Sequence, residues 1–185
     1  ISCPTNITAN TDAGECGADV IVPTVAVSDN SNVICNTDGL DEYSIGSVDG
    51  QSPLWQPWNA NYMSGLVTTD QFLSAPHSLK LVPGVGQLYL LGNRTSGKWQ
   101  LSYQMFIPSG HVGVTNLQKF ETAGIEFQMR IFFRSNGTGF LQADGNNTDL
   151  FYPQNQWFEV VHNIDLDTDE ETLSVNGVVI KTWQY

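Results

Sequence analysis

Two stretches of the chain alternate apolar and polar residues with a period of two. In residues 98–107, Trp99, Leu101, Tyr103, Met105 and Ile107 share one phase, and Lys98, Gln100, Ser102 and Gln104 the other. In residues 124–134, Ile125, Phe127, Met129, Ile131 and Phe133 stand opposite Glu126, Gln128, Arg130 and Phe132. A strand points successive side chains to opposite faces, so each stretch predicts a strand with its apolar phase on a core. The long polar side chains of the other phase then line an outer sheet face.

Residues 157–185 predict a meander of a long strand, an acidic turn, a short strand, the Asn176-Gly177 turn and a closing strand. Asn-Gly between strand-like runs is the strongest short-range hairpin signal. Further strands are expected near 65–69, 78–82, 87–92, 111–121 and 138–143, with a short one through Tyr43 and Ile45. No helical period interrupts the series. The pattern predicts an all-β, antiparallel sandwich or jelly roll.

Composition agrees: charged residues make up only 14% of the 185, and Gly, Asn, Thr and aromatic residues are plentiful. Such a chain favours short strands and turns over helices. A formal net charge of −12, with seven Lys and Arg, repels phosphate backbones, so no nucleic-acid partner is expected. No apolar run approaches the roughly 20 residues that cross a bilayer, and no membrane insertion is expected. The opening ISCPTNIT reads as the start of a mature or internal segment of a longer protein.

Cys3, Cys16 and Cys35 all fall in the first fifth of the chain, in a Pro-, Thr- and Asn-rich region. They are disulfide candidates, which points to an oxidising compartment and a secreted or cell-surface location. Their odd number leaves one thiol over or one partner elsewhere. Residues 1–36 form a short β appendage in this reading, and residues 37–185 the main domain.

Two resemblances add to this. Cys3-Pro4-Thr5-Asn6-Ile7, Gly14-Glu15-Cys16-Gly17-Ala18 and the run from Pro23 to Asp29-Asn30 resemble the start of a HYR module, an immunoglobulin-like extracellular repeat. Residues 37–185 resemble the laminin-G or concanavalin A-like jelly rolls of secreted Bacteroidota proteins. That resemblance rests on Tyr43-Ser44-Ile45-Gly46, Gly50 to Trp55, Ser78-Leu79, Thr95-Ser96-Gly97, Ile107-Pro108-Ser109-Gly110, Trp157, Ile164-Asp165 and Val175-Asn176-Gly177. It implies an accessory or adhesion module in a multidomain protein exported by a type IX route.

The Glu-x-Asp-x-x-Glu strand of retaining β-glucanases is absent, and Glu121 and Glu126 are separated by a turn signal. Gly-x-Ser-x-Gly and His-Glu-x-x-His are absent as well. A lyase would need Arg, Gln, His and Tyr together, and Arg130, Gln128, His162 and Tyr103 match only by type. His77, His111 and His162 are separated in sequence and read as surface or edge residues. No catalytic residue is assigned.

Asp165, Asp167 and Asp169 alternate like the first half of an EF-hand loop. Glu170 stands where the loop needs Gly, and Asn176 where the bidentate Glu belongs, so an exposed acidic turn is the first reading. Structural calcium is the alternative; no cofactor is required. Asp144 to Asp149 reads as another polar turn.

Aromatic residues carry the remaining signal, because sugars stack on rings while amides, carboxylates and arginine read their hydroxyls. Trp55 is expected to plug one end of the sandwich, leaving Trp58 and Tyr62 exposed in a Pro/Asn/Gly loop. Joined to Gln100, Gln104, Glu126, Gln128 and Arg130, these two outline a carbohydrate groove. The expected function is a non-catalytic carbohydrate-binding or adhesion module whose partners are a polysaccharide or cell-surface glycan and the other domains of its parent protein. The alternative is a structural spacer serving a secreted protease or export cargo; a lyase or hydrolase ranks below both.

Overall fold

The computed structural model describes residues 37–120 and 122–185. The cysteine and HYR-like expectations, and Glu121, lie outside the described residues. The chain divides into two units, Ile1–Thr37 and Asp38–Tyr185. The described residues of the second contain strands and no helix.

Five short strands come first: Gly46–Ser47 (β1), Trp55–Pro57 (β2), Leu66–Thr68 (β3), Ser78–Lys80 (β4) and Gln87–Tyr89 (β5). Eight longer ones follow: Lys98–Phe106 (β6), Gly113–Gln118 (β7), Phe127–Phe133 (β8), Thr138–Ala143 (β9), Asn146–Phe151 (β10), Trp157–Asp165 (β11), Glu170–Val175 (β12) and Val178–Gln184 (β13). The long strands build two four-stranded antiparallel sheets, β10-β9-β8-β7 and β13-β12-β11-β6. Within these two sheets consecutive strands pair as meanders, and only β6 pairs out of sequence, with β11. The short strands form β1-β3-β4 and β2-β5.

The inner faces meet in one core. Met129, Ile131 and Phe133 of β8, Leu141 and Ala143 of β9 and Leu150 of β10 join Phe158 and Val160 of β11, Leu173 and Val175 of β12 and Trp183 of β13. Phe133, Tyr152 and Phe158 pack ring on ring at centroid distances of 5.1–5.6 Å. The sandwich is also tied along its flanks. The Tyr103 hydroxyl of β6 donates to Thr115 Oγ1 of β7 at 3.0 Å, and Lys181 of β13 pairs with Asp144, beside β9, at 2.7 Å.

Asn176-Gly177 makes the expected two-residue turn, with φ of 48° and 77° and Val175 opposite Val178. Asp144-Gly145 repeats it between β9 and β10, with φ of 48° and 79°. Positive φ at both central residues matches the right-handed strand twist. Strand β10 was read as part of a polar turn. Its residues Asn146–Phe151 bury only Leu150, so an edge strand with one covered side chain shows no alternation. Trp55 lies in β2; its ring packs edge-on against Tyr89 at 4.7 Å, and its Nε1–H donates to Asp38 at 2.9 Å.

One irregularity reorients β8. Leu117 pairs with Met129, but Gln118 pairs with Phe127, which leaves Gln128 as an extra residue. A bulge of this kind shifts the side-chain phase by one. Met129, Ile131 and Phe133 face the core as expected. The inward placement expected for Ile125 and Phe127 is overturned: Ile125 is exposed, and Phe127 lies under the Arg130 guanidinium.

The core sets a clear contrast. Truncating Phe133, almost fully buried, to Ala is expected to cost about 3–5 kcal/mol through lost transfer energy and a cavity. Phe151→Ala, at a side chain 76% exposed, is expected within about 0.5 kcal/mol of the parent. Urea unfolding of the two variants checks both.

Candidate functional site

A hydrogen-bonded chain of polar side chains lies between the sheets, with His162 and Glu171 both at 0% exposure. Strand alternation puts them there: His162 follows Phe158 and Val160 inward on β11, and Glu171 precedes Leu173 and Val175 on β12. His162 Nδ1 meets Glu171 Oε1 at 2.7 Å, and its Nε2 meets the Tyr103 hydroxyl at 3.3 Å. Gln128 Nε2 donates to the other carboxylate oxygen, Oε2, at 2.5 Å. Burial holds the Tyr103 phenol well above its ordinary pKa, with the Glu171 charge adding to the rise and the hydroxyl's bond to Thr115 opposing it.

This corrects the reading of His162 as a surface or edge residue. Three of the four side chains matched by type to a lyase, Tyr103, His162 and Gln128, do come together. Full burial keeps His162 from touching a substrate, Tyr103 is partly buried against the core, and Arg130 lies on the opposite face of β8. The network closes the core.

On the outer face of the β7–β10 sheet, aromatic rings alternate with cations. Trp58 stacks on Phe127 at 6.0 Å, and the Arg130 guanidinium lies 4.8 Å from the Phe127 ring and 5.9 Å from Phe132. Phe132 stacks on Phe140 at 4.7 Å, and Arg134 lies 4.9 Å from Phe140. A guanidinium over a ring gains quadrupole attraction and holds the ring in place. Neither arginine pairs with a carboxylate among the described residues. Trp58 is seated by Gly86, where a Cβ would come within 2.7 Å of Trp58 Cβ and 2.9 Å of the Tyr62 ring.

A cleft of about 290 Å³ opens at the bulged end of β8, lined by Lys119, Phe127, Gln128, Arg130, Gln142, Asp144 and Tyr185 among others. Lys119 is paired with Glu126 at 2.7 Å. Asp144 is held below the usual carboxylate range, first by the hydrogen bond from Lys181 and then by that from Asn146. The Tyr185 hydroxyl is sealed from solvent without a partner among the described residues.

Of the residues expected to form one groove, Phe127's neighbours Trp58 and Arg130 come together, Gln128 lines the adjoining cleft, and Glu126 stands beside it through Lys119. Tyr62, 46% exposed, packs beside Trp58. Gln100 and Gln104 belong elsewhere: β6 carries them on the outer face of the other sheet, where Gln100 donates to Asn163 at 2.8 Å. The single groove is therefore divided. The sequence reading missed Phe127, Phe132, Phe140 and Arg134, because strict alternation put Phe127 in the core and left the phenylalanines unweighed.

Of the aspartates for which calcium was the alternative reading, Asp165 and Asp167 accept from separate donors of the chain. Asp165 accepts from Lys98 at 2.6 Å and from the Asp167 amide, while Asp167 accepts from the Gly97 amide at 2.9 Å. Among the described residues no group of three His, Cys, Asp or Glu side chains is placed to hold a metal ion. The exposed acidic turn is the arrangement found.

The fold and this site define an all-β antiparallel sandwich with an aromatic and cationic outer face. No family model matches the chain, and no curated protein matches it.

Removing one partner of the buried pair leaves an uncompensated polar group, so Glu171→Ala and His162→Ala are each expected to destabilise by about 3–5 kcal/mol. In a double-mutant cycle the combined loss should fall short of the sum, as read by chemical denaturation. The Asp144 carboxyl should titrate below its ordinary range by NMR, and Lys181→Met should move it back up. Because its folded pKa is depressed, the turn's contribution is present above the ordinary carboxylate pKa and is lost as pH falls through the lowered one.

Proposed function

We propose that the second unit is a non-catalytic carbohydrate-binding or adhesion module of the jelly-roll kind, part of a larger secreted or cell-surface protein. The observation that carries this is the strip of Trp58, Phe127, Arg130, Phe132, Phe140 and Arg134 on one sheet face, ending at the cleft. Its rings offer flat apolar surface to sugar faces, and its arginines keep unused N–H donors for hydroxyl oxygens. A net charge of −12 argues against a polyanionic nucleic acid on the same face. A second reading, a spacer packed against a neighbouring domain, draws support from the exposed Leu66, Phe72, Leu73 and Leu81 around the short strands.

Retention on immobilised polysaccharides tests the two readings. Phe127→Ala and Arg130→Ala are each expected to lower affinity about tenfold or more, about 1.4 kcal/mol. Gln100→Ala, on the other sheet, and His111→Ala should leave it unchanged. A folded protein retained by no polysaccharide would remove the binding reading and leave the spacer.

A further inference from the structure

The buried network extends to the cleft through Gln128. Gln128 is the residue inserted by the β8 bulge; one end of its amide meets Glu171, and the residue is among those lining the cleft. Which end faces Glu171 follows from chemistry. With His162 Nδ1 at one of its oxygens, Glu171 turns the other, as an acceptor, to Gln128. The amide nitrogen therefore points inward, because the reverse orientation would set a carbonyl oxygen against a carboxylate oxygen. The carbonyl end, Oε1, has no partner among the described residues. It is also absent from the polar atoms sealed without one, which are His77 Nδ1, Trp183 Nε1 and Tyr185 OH. Gln128 Oε1 is thus the end of the amide left to accept, on a residue that lines the cleft.

We propose that Gln128 is a specificity-determining residue of the cleft, and that the ligand it selects is a neutral sugar chain presenting a hydroxyl donor. The inference rests on the glycan-binding reading above. Gln128 Oε1 and the Asp144 carboxylate accept; Arg130 and the Gln142 amide donate. A hydroxyl group both donates and accepts, so a sugar diol satisfies such a mixed set. A carboxylate or sulfate would meet Arg130 favourably, yet it would face the Gln128 carbonyl and Asp144, with Glu171 behind, and could donate to neither acceptor. Phe127, stacked between Trp58 and Arg130, supplies the apolar floor beside these groups.

The geometry of the lock also explains a buried carboxylate close to a binding face. Glu171 touches no ligand in this arrangement. It is a positioning residue, and it acts by denying Gln128 the amide flip that would exchange an acceptor for a donor.

Two measurements on the full chain test this. In NMR with labelled glutamine side chains, one Gln128 amide proton should be shifted downfield and protected from solvent exchange without any ligand. A freely exchanging Gln128 amide would overturn the lock. Titration with neutral glucan, mannan and xylan oligosaccharides, beside uronate-bearing fragments and a single-stranded oligonucleotide of similar length, then tests the ligand class. Neutral chains should bind in preference. Gln128→Met, which keeps the length and removes both amide atoms, should weaken them about tenfold. Glu171→Gln, which can offer Gln128 either end of an amide, should lower the neutral-over-uronate ratio several-fold, with the fold of both variants checked by circular dichroism. Preference for uronates, or neutral binding unchanged by Gln128→Met, overturns the inference and leaves the glycan reading standing. Binding of the oligonucleotide alone, or of nothing in the panel, removes both.

Discussion

Glu171 is a carboxyl group with no access to water in the middle of an apolar sandwich. Leaving such a group without partners would cost several kcal/mol, so the surrounding strands must deliver donors to both of its oxygens. His162 reaches one from β11 and Gln128 the other from β8, on the facing sheet. His162 is in turn steadied by Tyr103 on β6, whose hydroxyl continues to Thr115 on β7. Five strands are thereby held in mutual position by directional contacts. The apolar core around them is adjustable by comparison, since its packing tolerates small shifts that a short hydrogen bond does not.

The bulge in β8 is where this constraint meets the surface. An extra residue at Gln128 turns its amide inward and swings Phe127 outward in the same step. Without the insertion, Phe127 would fall on the core phase, and the outer strip would lose the ring that joins Trp58 to Arg130. Bulges recur where a sheet must re-aim a side chain. Here one device serves the interior and the exterior together.

The outer strip also places charge unevenly. In a chain of net charge −12, Arg130 and Arg134 stand over rings and without carboxylate partners among the described residues, while Lys98, Lys119 and Lys181 are each paired. Unused donors beside aromatic faces, with the Asp144 carboxylate and an oriented amide at one end, form a surface suited to hydroxyl-rich ligands. The other sheet's outer face differs in kind: Gln100 with Asn163 and Lys98 with Asp165 already satisfy each other.

Much of this was legible along the chain. Period-two alternation marked β6 and the inner part of β8, and the Asn176-Gly177 turn set the closing hairpin, because both signals depend on near neighbours alone. The same alternation carried His162 and Glu171 to the inner face, two residues from Val160 and from Leu173, although neither was read that way. What the chain could not show was pairing across sheets. Nothing local in Phe127-Gln128 announces a bulge, because the inserted residue is defined by the strand beside it. Nothing in Gln100 and Gln104 reveals that β6 leaves its sequence neighbours to pair with β11, which moves both to the far face from Arg130. Strand identity is a property of neighbouring residues, whereas the face a side chain occupies, and what it meets there, depends on strands distant in sequence.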